Sequence, residues 1–93
     1  MQPAPQPTAW TVKKLLAWTT DYLKSKGFDE AKREAELLLA HVLECQRIEM
    51  IARFEEEPTD AERARFKELI NRRVAGWPVA YLVHGGPQGA WED

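Results

Sequence analysis

Residues 29–45, Asp-Glu-Ala-Lys-Arg-Glu-Ala-Glu-Leu-Leu-Leu-Ala-His-Val-Leu-Glu-Cys, carry one uninterrupted amphipathic pattern. At roughly 100° per residue, Ala31, Ala35, Leu38, Leu39 and Val42 share one sector of a helix, while Arg33, Glu36 and Glu44 point away from it. Leu37 and Leu43 fall outside that sector on opposite flanks, so the helix has apolar side chains to bury on more than one side. Such a helix is expected at the centre of a bundle, packed by several neighbours.

The segments on either side supply those neighbours. Thr11 can cap a first helix that places Val12, Leu15, Leu16, Tyr22 and Leu23 on one face, with Trp18 at the edge of the core and Gly27 as a left-handed stop. Phe28 reads as a staple residue, and the Asp29 carboxylate as an acceptor for the first amides of the central helix. Beyond Cys45, Ile48, Ile51 and Ala52 resume a helical spacing over about two turns, too short to be stable without packing. Glu55-Glu-Glu57 and Pro58 then form a solvated loop. Thr59-Asp-Ala-Glu62 is a capping box that starts a fourth helix through Phe66, Leu69, Ile70 and Val74, ending at Gly76. Residues 77–83 are apolar but open with a proline, which points to a short extended or single-turn segment folding back on the bundle. The expected fold is all-α, a small bundle of four to five short helices joined by short connections.

The flanks differ in character. Three prolines among the first seven residues exclude a helix or a paired strand, so residues 1–10 read as a disordered tail and 11–83 as one domain. Residues 84–93 hold three glycines and a proline and read as a flexible tail or a truncation boundary. With 44% apolar and 30% charged residues, the 93-residue chain has the composition of a globular domain with one core. A net charge of −2 gives no global reason to expect nucleic acid as a partner. No apolar run approaches a membrane span and the amino terminus has no signal pattern, so a cytoplasmic location is expected. Cys45 is the single cysteine, which rules out an internal disulfide and a cysteine-cluster zinc site.

Chemistry-bearing constellations are sparse. The glycines at 85, 86 and 89 have no strand before them and no helix after them, unlike a phosphate-binding loop. His41 lies on the polar flank of the central helix with no serine or cysteine placed beside it as a nucleophile. Arg73 is the one misplaced charge, because it falls inside the apolar sector of Phe66, Leu69, Ile70 and Val74. Two readings stand for it: a stem covering apolar surface with its cation favoured at a helix carboxy terminus, or a docking residue for a neighbouring domain or protein. Together with Trp77 and Tyr81, and more weakly Leu37, it makes up the set of candidate docking residues, since arginine and aromatics dominate interface energetics. No residue is a candidate for catalysis, cofactor binding or metal ligation.

Four features in this order resemble the amino-terminal helical domain of the HemK/PrmC-type release-factor glutamine methyltransferases. They are the Leu-Leu-x-Trp segment at Leu15 to Trp18, the block Ala35-Glu-Leu-Leu-Leu-Ala-His-Val-Leu43, the Arg53-Phe54 pair before an acidic loop with proline, and Arg72-Arg73-x-Ala-Gly-x-Pro-Val-Ala-Tyr81. The resemblance implies a helical domain that helps to recognise a peptide-chain release factor. It also implies an adjacent Rossmann-like domain that binds S-adenosylmethionine and methylates a glutamine side-chain amide. That family's cofactor-binding glycines and its Asn-Pro-Pro-Tyr clamp match no residue here, so this segment is not expected to catalyse methyl transfer. The alternative is a stand-alone helical interaction module with no enzymatic activity. Mixed with S-adenosylmethionine, the 93-residue chain is expected to show neither saturable binding by calorimetry nor methylation of a release factor. Tight stoichiometric binding would overturn the two-domain interpretation.

Overall fold

The computed structural model describes residues 10–83; the expectations for the proline-rich start and for residues 84–93 lie outside that range. Five helices follow one another: α1 (Val12–Ser25), α2 (Ala31–Leu43), α3 (Arg47–Ala52), α4 (Asp60–Val74) and α5 (Val79–Val83). α2 packs against each of the other four. Eight of its 13 residues are buried, among them Ala31, Ala35, Leu38, Leu39 and Val42, as the helical spacing requires. The core is completed by Val12, Leu16 and Leu23 of α1, Met50 of α3, Phe66 and Ile70 of α4, and Leu82 of α5.

The helix ends follow the local chemistry closely. The Thr11 hydroxyl accepts from the Lys14 amide at 3.2 Å. Thr59 and Glu62 exchange both bonds of a capping box, at 3.0 and 2.8 Å. α1 and α4 each stop at a glycine with positive φ, Gly27 at 93° and Gly76 at 116°. The next amides, those of Phe28 and Trp77, reach back to the Leu23 and Arg72 carbonyls at 3.1 Å, so both ends are Schellman motifs. The first two amides of α1 use a distant segment instead: Val12 donates to the Glu56 carbonyl at 2.8 Å and Lys13 to that of Phe54 at 3.0 Å. Donors that a helix start leaves without intrahelical partners are thus covered by the loop after α3. The Arg53 side chain, hydrogen-bonded to Glu56 at 2.9 Å, braces that loop, and the bond raises the guanidinium pKa above its ordinary value.

Four details depart from the sequence expectation, and the way α2 ends adds a feature on which the sequence is silent. Asp29 does not cap α2; the cap position is Glu30, whose side chain makes no capping bond, because the turn that brings Phe28 back onto α1 leaves 29 and 30 to reverse the chain. Glu36 is buried rather than solvated, since α3 covers that side of α2 and Arg47 gives it two hydrogen bonds of 2.8 and 3.2 Å. In α3 the buried residue is Met50, whereas Ile48 (73% exposed) and Ile51 face outward. Trp18 is 55% exposed and lies stacked on Tyr22 rather than at a core edge. Glu44 ends α2 in the left-handed region, at φ 59°, without a glycine to ease it.

Leu38 has no exposed surface. Leu38→Ala is therefore expected to cost about 2–5 kcal/mol through lost burial and a residual cavity. Urea unfolding followed by circular dichroism measures it, and an unchanged midpoint would contradict the core described here.

Candidate functional site

The sequence candidates converge on the junction of α4 and α5, where the Schellman turn at Gly76 brings the chain out of α4 and Pro78 leads into α5. Arg73 sits just before that turn, and its guanidinium is engaged inside the domain. Nε and one terminal nitrogen donate to the two Glu34 oxygens of α2 at 2.8 and 3.2 Å. The other terminal nitrogen donates to the Trp77 carbonyl at 3.1 Å. The guanidinium carbon lies 4.5 Å from the centre of the Phe28 ring, in cation–π range. One side chain thereby ties together α4, α2, the α1–α2 turn and the entry to α5. A planar, multiply donating cation suits that task, and its mostly buried pair with Glu34 accounts for a charge in an apolar sector.

Trp77 and Tyr81 are brought together in space and face outward, at 40% and 37% exposure. Their rings meet edge to face with centroids 5.1 Å apart. Arg72 lies over the Trp77 ring at 5.3 Å while also holding Glu68 at 2.7 Å, so the indole is fixed from one side and open on the other. Leu37 on α2 is half-buried and is not part of this pair. His41 and Cys45 are also half-buried, Cys45 as a free thiol.

A second outward surface was not anticipated from sequence. α1 and α4 flank α2 and leave a cleft of about 420 Å³ between them, with Trp10, Leu15, Trp18 and Tyr22 on one wall and Arg63, Lys67 and Asn71 on the other. Its sequence signal was available as two i,i+4 pairs, Trp18/Tyr22 and Arg63/Lys67, but only the relative placement of the helices shows that they face one space. Among the described residues, no cluster of three or more His, Cys, Asp or Glu is placed to hold a metal, and no helix is long and apolar enough to cross a membrane. Both surfaces offer ring faces and apolar area, the chemistry of recognition.

Fold and surface together define a small all-α domain whose outward chemistry is aromatic. The chain belongs to the family described as the PrmC N-terminal domain, whose family model matches residues 14–83. It is 49% identical over 76 residues to a release factor glutamine methyltransferase of Rhodopirellula baltica, an alignment covering 82% of this chain and 26% of the relative. Identity is 33% over 78 residues to the Geobacter sulfurreducens protein of the same name, with 84% and 28% covered, and 36% over 79 residues to that of Chlorobaculum tepidum, with 85% and 27% covered. The chain thus spans about a quarter of the length of these relatives. No solved structure matches it.

Removing the Arg73 guanidinium leaves the Glu34 carboxylate without its partner in a poorly hydrated place. Arg73→Ala is expected to cost about 1.5–3 kcal/mol, and Arg73→Lys to recover only part, because an ammonium cannot reproduce the two-pronged contact. A double-mutant cycle with Glu34→Gln in urea should return a coupling above about 0.5 kcal/mol. Strict additivity would show that the pair is incidental.

Proposed function

We propose that this chain is the N-terminal substrate-recognition domain of an S-adenosylmethionine-dependent protein methyltransferase that modifies the glutamine side-chain amide of peptide-chain release factors. The family match and the shared name of the relatives support this reading over a stand-alone interaction module. The chain spans only about a quarter of the length of those relatives. S-adenosylmethionine and the reacting amide are accordingly assigned to an adjacent methyltransferase domain of the full-length enzyme, and no step of methyl transfer to this segment.

The observation that carries the recognition role is the exposed Trp77–Tyr81 pair. Two ordered aromatic rings, held by Arg72 and by the Arg73 bond to the Trp77 carbonyl, provide contact area with little side-chain freedom left to lose. In this reading Trp77 and Tyr81 touch the release factor, Arg73 positions them, and Leu37 has a supporting place at most.

In the full-length enzyme, Trp77→Ala combined with Tyr81→Ala is expected to lower kcat/KM for an intact release factor about tenfold or more. Activity on a short peptide bearing only the Gly-Gly-Gln loop should be unchanged, because such a peptide requires only the catalytic domain. An equal loss on both substrates would instead assign the pair to docking of the adjacent domain. Full activity on both would remove it from recognition.

A further inference from the structure

The cleft between α1 and α4 is walled by apolar and aromatic side chains of one helix and by cations of the other. α1 and α4 both rest on α2, and the space between them is floored by buried Thr19, Phe66 and Ile70. Its volume of about 420 Å³ lies within the range of sites that hold bulky apolar groups. Trp10 and Trp18 stand on its rim with 41% and 55% of their surfaces exposed, an arrangement with a standing hydrophobic incentive to be covered.

Charge narrows what covers it. Among the described residues no carboxylate lines the cleft, although the chain has more acidic than basic residues, and Arg63 and Lys67 occupy the α4 wall one helical turn apart. Arg63 is paired with the highly exposed Asp60, while Lys67 is exposed and open to an incoming anion. Two cations are too few to track a nucleic-acid backbone but enough to orient a helix with carboxylates along one edge.

We infer that the α1–α4 cleft is a docking groove for an amphipathic helix of a partner protein, one that inserts apolar side chains at i, i+3 or i+4 spacing between the Trp18/Tyr22 stack and Phe66 and turns acidic residues toward Lys67 and Arg63. This goes beyond the release-factor reading, which rests on the Trp77–Tyr81 pair, and it holds whichever protein supplies the helix.

The test uses the 93-residue chain and a synthetic 16-residue helical peptide with leucines at every third and fourth position flanked by glutamates. Its controls are the same peptide with lysines for glutamates and a twelve-nucleotide oligouridylate. In NMR titrations the acidic peptide is expected to bind in the micromolar range and to shift the indole signals of Trp10 and Trp18 but not that of Trp77. Trp18→Ala, at an exposed position, should weaken binding about tenfold, and Lys67→Glu should reverse the preference between the acidic and basic peptides. Thermal melts of both variants should match the parent chain. Absence of binding up to millimolar peptide, equal binding of both peptides, shifts confined to Trp77, or tighter binding of the oligouridylate would each overturn the inference. So would concentration-dependent self-association that shifts the same two indoles, because the occupant would then be a second copy.

Discussion

α2 has more apolar circumference than any single neighbour can cover, and the rest of the domain is the solution to that problem. Covering one stripe of a helix takes one partner, but here Leu38, Leu39, Val42, Ala35 and Leu43 together sweep past what one partner reaches. Four segments are therefore laid around α2, and two of them, α3 and α5, are too short to stand as helices without it. The same arrangement explains the outer surface. Helices that share a central partner need not touch one another, and the space between α1 and α4 follows from the width of the helix they both contact.

Burial on that scale brings polar groups inside, and they are resolved in pairs. Glu34 meets Arg73 of α4, and Glu36 meets Arg47 of α3. Ion pairs of this kind contribute little net stability, since desolvation offsets most of the attraction, but each admits few alternative geometries. Their effect is to fix which turn of α2 each neighbour sits against, something that interchangeable leucines do not do. The Arg73 contact carries the constraint further, into the backbone at Trp77, so the exposed rings of the α5 entry are oriented from the core.

The architecture was legible in the sequence wherever the signal was local. Thr11, Thr59 with Glu62, Gly27 and Gly76 act on residues within one turn, and their roles follow from hydroxyl, carboxylate and φ chemistry alone. The central helix was equally plain from its period. What sequence could not supply was anything set by where another helix lies. Glu36 reads as solvated until α3 is placed over it, Ile48 and Ile51 read as core until α3 is seen to turn Met50 inward, and Trp18 reads as packing at the core edge until its ring is seen stacked on Tyr22 and more than half exposed. At the candidate site the residue types at the α4–α5 junction were evident, and Trp77 and Tyr81 do lie together. Arg73 stood out correctly as anomalous, but its partner Glu34 belongs to another helix, and no spacing rule connects them.

Because the first amides of α1 are received by the Phe54 and Glu56 carbonyls, the order in which the domain can be completed on the ribosome is not the order of its residues. Translation delivers α1 first, yet the loop that finishes its amino terminus emerges only after α2 and α3 have been made. Thr11 holds the helix start in the interim with one side-chain bond. α1 therefore waits as an incompletely capped amphipath until that loop has been made. The aromatic face that ends up beside α4 is bare throughout that interval, apolar surface open to other chains.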